Sequence, residues 1–261
     1  MKSRYILTLC CALALFTACD HIDEDERYIE VKAAEVARAV LIEDFTGQRC
    51  NNCPLAAEEI ERLKEQYGDD KIIAVGIHSS ELAVFPTARV VGLRTVTGDE
   101  YYKHFNIEVE PSLIVNRTGK ILTYQNLGSA VYTAIQESTP LEMTIANSFK
   151  SDSRQLSIEV TTSSTQTVGG KLQLWIVEDG ITAIQVMPDG TSNTNYVHNH
   201  VFRTAVNGTW GDDFSLQQGE QKTASYTQQL SDEWNAANVS VVAFVYDDSG
   251  VLQVCKQKII N

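Results

Sequence analysis

Apolar and polar positions change rhythm about halfway along this chain. In residues 36 to 139, short apolar runs alternate with helical spacing. Ala39-Val40-Leu41-Ile42 is a continuous apolar run, the pattern of a strand covered on both faces. Pro54 to Tyr67 follows with Ala56, Ile60, Leu63 and Tyr67 on one helical face and acids with Lys64 opposite, which predicts an amphipathic helix. Lys71 to Ile77 predicts a second buried strand. A short helix is expected around Tyr101–Phe105, then strands at Ser112–Val115 and Ile121–Tyr124 about a turn at Asn116–Lys120. A helix at Ser129–Glu137 closes the half. Strands alternating with helices predict an α/β sheet.

From Leu141 onward the period of two takes over. Leu156, Ile158 and Val160 alternate with Ser157, Glu159 and Thr161; Leu172, Leu174 and Ile176 alternate with Gln173, Trp175 and Val177. Val239–Tyr246 and Val251–Ile259 flank Asp247-Asp248-Ser249-Gly250, a hairpin turn. Short strands separated by Gly, Asn and Asp predict a β-sandwich over residues 140–261. Trp175, between apolar strand residues, reads as core, whereas Trp210 and Trp234 are candidates for a ligand surface.

The first 35 residues carry no such pattern. Lys2 and Arg4 precede Tyr5–Ala18, an apolar run that falls short of the roughly 20 residues a membrane-spanning helix needs, so residues 1–18 read as a signal peptide. Phe16-Thr17-Ala18-Cys19 resembles a bacterial lipoprotein cleavage box, with Cys19 the lipidated residue; ordinary cleavage leaving a free thiol is the alternative. Residues 19–35 then read as a flexible tether with a reach on the order of 20 Å. Its acidic run Asp20-His21-Ile22-Asp23-Glu24-Asp25-Glu26 resembles the export tags of Bacteroidetes surface lipoproteins. The expected place is the outer membrane, lipid-anchored, on the cell surface or the periplasmic face.

Composition narrows the rest. Hydrophobic residues at 43% suffice for real cores and exclude a disordered or collagen-like chain. Thirty-four acids against 21 Lys plus Arg give a formal charge of −13, which repels phosphate backbones, so no nucleic-acid partner is expected.

The candidate chemistry is Cys50-Asn51-Asn52-Cys53, just past a predicted buried strand and at the start of the amphipathic helix. Helix N-terminal amides favour an anion there, so Cys50 is expected to be the attacking thiol. Cys53, one turn in, is placed to resolve a mixed disulfide. Zinc is the competing use of such a pair but wants a second ligand pair. Cys10 and Cys11 lie in the leader, and Cys255 stands alone in the last strand, so neither a metal nor any other cofactor is expected. His198 and His200 would share a face if Tyr196–Phe202 were a strand. With no third ligand apparent, they read as hydrogen-bonded structural histidines, and His78 reads as a solvated loop residue.

Asp44-Phe45-Thr46-Gly47-Gln48-Arg49-Cys50-Asn51-Asn52-Cys53 resembles, without gaps, the active-site stretch of thioredoxins, and Val109 to Lys120 resembles the segment carrying their cis-proline and following hairpin. The resemblance covers about 100 residues. It implies that Pro111 is the cis-proline beside the cysteines and that Asp44 is a buried carboxylate assisting proton transfer to Cys53. Arg49 stands where a tryptophan is usual, and Asn51-Asn52 replaces Gly-Pro. The stretch Ser79–Thr97 is longer than the usual connection, and either forms a lid or covers a sheet edge.

The whole chain resembles the Bacteroidetes outer-membrane lipoproteins related to the Omp28 antigen, on the cleavage box with its acidic tail, the segment from Ala39 to Pro54, and Tyr196–Arg203. That resemblance implies an α/β thioredoxin-like domain followed by an all-β immunoglobulin-like sandwich. The functional expectation is thiol–disulfide exchange through Cys50 and Cys53, with protein thiols or disulfides as partners. The alternatives are a surface adhesion or ligand-binding lipoprotein in which a Cys50–Cys53 disulfide is structural, with a ligand on the β-sandwich, and an accessory of a larger envelope complex.

Overall fold

The computed structural model describes residues 36–260; the signal segment, Cys19 and the acidic tether lie outside the described residues. The first half contains strands β1 (Val36–Ala37) and β2 (Val40–Thr46), helix α1 (Cys53–Tyr67), β3 (Ile72–His78), α2 (Val96–His104), β4 (Ser112–Val115), β5 (Ile121–Leu122), α3 (Tyr124–Ala134) and β6 (Ser138–Thr139). The second half is β7 (Leu141–Lys150), β8 (Gln155–Ser164), β9 (Val168–Glu178), β10 (Ile181–Val186), β11 (Ser192–His198), β12 (Val201–Ala205), β13 (Asp212–Leu216), β14 (Gln221–Gln229), β15 (Val239–Asp247) and β16 (Gly250–Lys258). The described part is thus β-rich, with three α-helices.

β2 and β3 pair in parallel, β4 runs antiparallel to β2, and β5 antiparallel to β4. Both faces of this group are covered, so β2 and β3 are buried at every position, the polar Glu43, Asp44 and Thr46 of β2 included. On one face Val40, Ile42, Ile72 and Ala74 pack against Ala56, Ile60 and Leu63 of α1 and Leu127 and Val131 of α3. The predicted stripe on α1 is therefore the packing stripe. Tyr124, expected in a strand, instead opens α3, which begins five residues before its predicted start.

The two sequence textures meet inside a single sheet. β12, from the second half, lies parallel to β3 with Val201 opposite Gly76, and the Gly76 amide donates to the His200 carbonyl at 2.8 Å. The order β16-β15-β9-β12-β3-β2-β4-β5, with β13 also on β9, makes one nine-stranded sheet across residues 40–258. Pro140 begins a new texture without breaking the sheet. A core of Leu41, Phe45, Val75 and Ile77 is continuous with Trp175, Val177, Phe202, Val242 and Phe244. In its midst sits Arg117, in the β4–β5 turn. Its guanidinium is paired with buried Glu43 at 3.0 Å and lies 4.5 to 5.7 Å from the ring centres of Tyr101, Phe105, Trp175, Phe244 and Tyr246.

Gly250 is required at this seam. Its φ is +122°, and a Cβ there would stand 2.4 Å from the Asn116 carbonyl oxygen, which accepts the Val251 amide at 2.7 Å. A second, three-stranded sheet, β14-β8-β7, packs Leu156, Ile158 and Val160 onto Leu172, Leu174 and Ile176. The alternation in β9 therefore does not mark a solvent face. Trp175 and Val177 on the other side are equally buried, because β9 lies between two layers. Trp175 is in the core as expected, its indole N–H donating to the Tyr101 hydroxyl at 2.9 Å.

Candidate functional site

The chain leaves β2 at Thr46, turns through Gly47-Gln48-Arg49, and enters α1 at Cys53, so the cysteine pair sits at a helix N-terminus beside the end of a buried strand. Cys50 and Cys53 are joined as a disulfide. The Glu110–Pro111 peptide bond is cis. Gly47 allows the close packing here: a Cβ would meet the Leu82 backbone at 2.6 Å and the Glu110 carboxylate at 2.7 Å.

Asp44 points from β2 toward α1 and is buried with Oδ1 unpartnered. Desolvation, and secondarily the charge of Glu110, push its pKa up to about 8. Glu110 is itself driven up to about 7 by burial, against hydrogen bonds from the hydroxyls of Ser80 and of Ser79, the latter donating at 3.1 Å. Two carboxyls with raised pKa values thus lie near the cysteine loop, Asp44 beside Cys53 in the cleft and Glu110 against Gly47. Asp44 was a sequence candidate; Glu110 was missed, although an acid between Val109 and the cis-proline was a signal available in the sequence.

Neither sulfur-bearing residue is open to solvent: Cys50 is 3% exposed and Cys53 2%. What covers them comes from far along the chain. β10 and β11 form a separate two-stranded hairpin that lies on the 47–50 loop. Gln185 donates its side-chain amide to the carbonyls of Cys50 at 2.8 Å and Gly47 at 3.4 Å, and the Val186 amide donates to the Gln48 carbonyl at 2.9 Å. The 79–97 stretch covers the other side. The Arg49 amide donates to the Leu82 carbonyl, the buried Gln48 side chain donates to Val91, and it accepts from the Leu93 amide. Of the two roles expected for this stretch, a lid or a cover for a sheet edge, these contacts to the cysteine loop match the lid. Gln185 was invisible to sequence reasoning, because it lies 135 positions from Cys50 and acquires meaning only through the fold that brings it back; Gln48, two residues before Cys50, took its meaning from burial.

Cys53 and Asp44 also form part of the wall of a cleft of about 320 Å³. Its other walls include the α1 residues Glu58, Glu61, Arg62 and Glu65, the Gln185 side chain, and the rings of Tyr196, His78, His198 and His200. His78 is a correction to the sequence reading. It is buried, its ring 5.3 Å from that of His198, and desolvation holds it well below the usual histidine range. Burial likewise lowers His198 to about 4 and His200 to about 3, the latter with help from the Lys64 charge. All three are therefore neutral at pH 7, so His200 Nδ1, 3.7 Å from Glu61, makes no ion pair. β11 stops at His198, and His200 occupies a left-handed turn (φ 45°), so the two do not share a strand face but still reach the same cleft. His78 Nδ1, His198 Nε2 and His200 Nδ1 have no hydrogen-bond partner, although the His198 ring is hydrogen-bonded to the backbone at Ile184 and Ala183, as expected of a structural histidine. Among the described residues no group of three His, Cys, Asp or Glu side chains is arranged to hold a metal. Cys255 is free in β16, its thiol pushed up to about 12 by burial.

A buried disulfide at a helix start, a buried carboxyl with a raised pKa and a cis-proline in a β-rich scaffold define a protein with a covered CxxC pair. The family described as outer membrane protein Omp28 matches residues 98–261, and the chain belongs to it; the protein is an outer-membrane one. That match begins beyond Asp44, Cys50 and Cys53, so it describes the scaffold rather than the cysteine pair. No curated protein matches the chain. The fold is similar to HBP35 of Porphyromonas gingivalis, with a TM-score of 0.67 at 14% identity over 87% of this chain and 77% of that one. A domain of the outer membrane lipoprotein Omp28 from the same organism is 24% identical over 46% of this chain and 88% of its own, with a TM-score of 0.34. Among the described residues no helix is long and apolar enough to cross a membrane.

Proposed function

We propose that this protein carries out thiol–disulfide exchange at the outer membrane, through Cys50 and Cys53 in a thioredoxin-like module built into the sheet of an immunoglobulin-like sandwich. The strand order β3-β2-β4-β5, the helix opening at Cys53 and the cis Glu110–Pro111 bond support the thioredoxin-like reading. Residues 36–139 supply that module and residues 140–261 the sandwich, with lipid on Cys19 as the anchor. Thiols or disulfides are the partner class.

The observation that carries the activity is Asp44. A disulfide that merely staples a fold needs no proton acceptor beside it. Here a buried carboxyl, with an unpartnered oxygen and a pKa of about 8, lines the same cleft as the resolving sulfur. On reduction it gives its proton to the Cys53 thiolate; on oxidation it takes the proton back. The 3% exposure of Cys50 favours the competing reading, a structural disulfide in an adhesion or ligand-binding lipoprotein whose sandwich carries the ligand.

A redox titration of the full chain in detergent, read by thiol-alkylation mass shift with Cys50→Ser as control, separates the two. A reversible couple above roughly −250 mV is expected for exchange. A pair that stays oxidised below about −300 mV makes it a staple.

A further inference from the structure

The two sulfurs are covered in different ways. Cys50 lies under the β10–β11 hairpin, which is fastened to its own carbonyl by Gln185. Cys53 instead contributes to the wall of the cleft, and Cys50 does not. The cleft's walls are also unfinished in their hydrogen bonding: one ring nitrogen on each of His78, His198 and His200, and Oδ1 of Asp44, lack partners. Buried polar atoms left unpaired cost free energy, so a cleft whose lining residues carry four of them beside a disulfide is shaped for a polar guest.

Three observations define that guest. The volume, about 320 Å³, is at the small end of ligand-sized cavities, which admits a small molecule and not a folded protein surface. The α1 wall presents Glu58, Glu61 and Glu65 at spacings of three and four, one stripe of the helix. Lys64 lies 3.0 Å from Glu61, and Arg62 is held by Glu59 at 2.7 Å, while exposed Glu58 and Glu65 have no ion-pair partner among the described residues. With Arg62 of the lining neutralised by Glu59, the mouth is anionic, and an unprotonated imidazole nitrogen inside can accept a hydrogen bond from an ammonium group.

We propose that the disulfide is opened from this cleft, by a small cationic aminothiol whose sulfur attacks Cys53 rather than Cys50. The thiolate forms a bond to Cys53 Sγ as the Cys50–Cys53 bond breaks, and Cys50 leaves as thiolate. A second aminothiolate then attacks the guest sulfur of the mixed disulfide. It releases the oxidised aminothiol disulfide and the Cys53 thiolate, which takes the Asp44 proton. Two thiols are oxidised to one disulfide and the protein disulfide is reduced to two thiols. The small disulfide runs the same steps backwards. The inference rests on the exchange reading above and names its reductant and point of entry.

The test uses the full chain in detergent, with Cys255→Ser in every variant. Cys50→Ser and Cys53→Ser are treated with cystamine and the mass adduct is followed. A cysteamine adduct on Cys53 in the Cys50→Ser protein, forming at least about tenfold faster than on Cys50 in the Cys53→Ser protein, is expected. Equal or faster reaction at Cys50 overturns the point of entry and leaves exchange standing. No adduct on either, with a wild-type disulfide that resists all small thiols until the protein unfolds, overturns exchange itself. The charge class is read separately on wild type. Per thiolate, cysteamine is expected to reduce the disulfide roughly five- to tenfold faster than 2-mercaptoethanesulfonate at low salt, converging in about 0.5 M salt. The exposed double variant Glu58→Gln/Glu65→Gln is expected to lose that preference; a ratio near one in wild type at low salt overturns the cationic class.

Discussion

Replacing Asp44 by Asn removes one titrating proton while keeping a neutral side chain of the same shape. In the folded protein Asp44 holds its proton up to about pH 8, whereas in the unfolded chain it ionises near its ordinary value of 3.8. Between those limits the folded state binds more protons than the unfolded one, so wild-type stability falls as pH rises through this window. Each unit corresponds to about 1.4 kcal/mol, so the cost of keeping Asp44 neutral reaches about 4 kcal/mol at pH 7. Asn bears no such cost. The variant is expected to match wild type near pH 4 and to exceed it by an amount growing about 1.4 kcal/mol per unit toward pH 8. Glu110 titrates in both proteins and largely cancels. Urea unfolding of the oxidised proteins, followed by tryptophan fluorescence at pH 4, 5.5, 7 and 8, measures the difference. A gap below 1 kcal/mol and independent of pH would refute the reasoning, since Asp44 would then be ionised in the fold and of no use as a proton donor near neutrality.

Gln185→Ala removes the side-chain amide that ties the hairpin to Cys50, at a cost of about 2 kcal/mol. In a Cys53→Ser background Cys50 is then expected to alkylate about thirtyfold faster, and an unchanged rate would mean that the hairpin is no cover. Arg117→Ala strands Glu43 uncompensated in the core and is expected to destabilise by about 3–5 kcal/mol, whereas Glu43→Leu/Arg117→Met together recover most of that in the same urea assay. Leu174→Ala, in the layer between the two sheets, is expected to lose about 2–5 kcal/mol. Cys255→Ser leaves the redox titration unchanged, because its buried thiol has no partner cysteine among the described residues.

Patterns of period 3.6 and period 2 made particular residues legible. Ala56, Ile60 and Leu63 form the buried face of α1, and Leu156, Ile158 and Val160 form the inner face of β8. Such elements announce themselves because one face alone meets the core. The same patterns misled at two places. β9 read as alternating although Leu172 to Glu178 is buried throughout, and Tyr124 read as strand although it begins a helix. At the candidate site, Asp44, Cys50, Cys53 and Pro111 were readable because they lie in two short contiguous stretches. Glu110, Gln48 and His78 took their character from burial, which no local pattern encodes.

By itself, then, the sequence determined the local pieces: the apolar strands, the cysteine pair at a helix start, the texture change near Pro140 and the acidic balance. Tertiary structure alone decided that the pieces share one sheet, since β12 pairs with β3 across more than 120 positions. It also decided that Gln185 closes over Cys50 and that three distant histidines meet beside Cys53. The physical reason is that helix and strand preferences act over a few residues, whereas burial, and with it the protonation of Asp44, Glu110 and the histidines, is set by whichever segments fold back upon them.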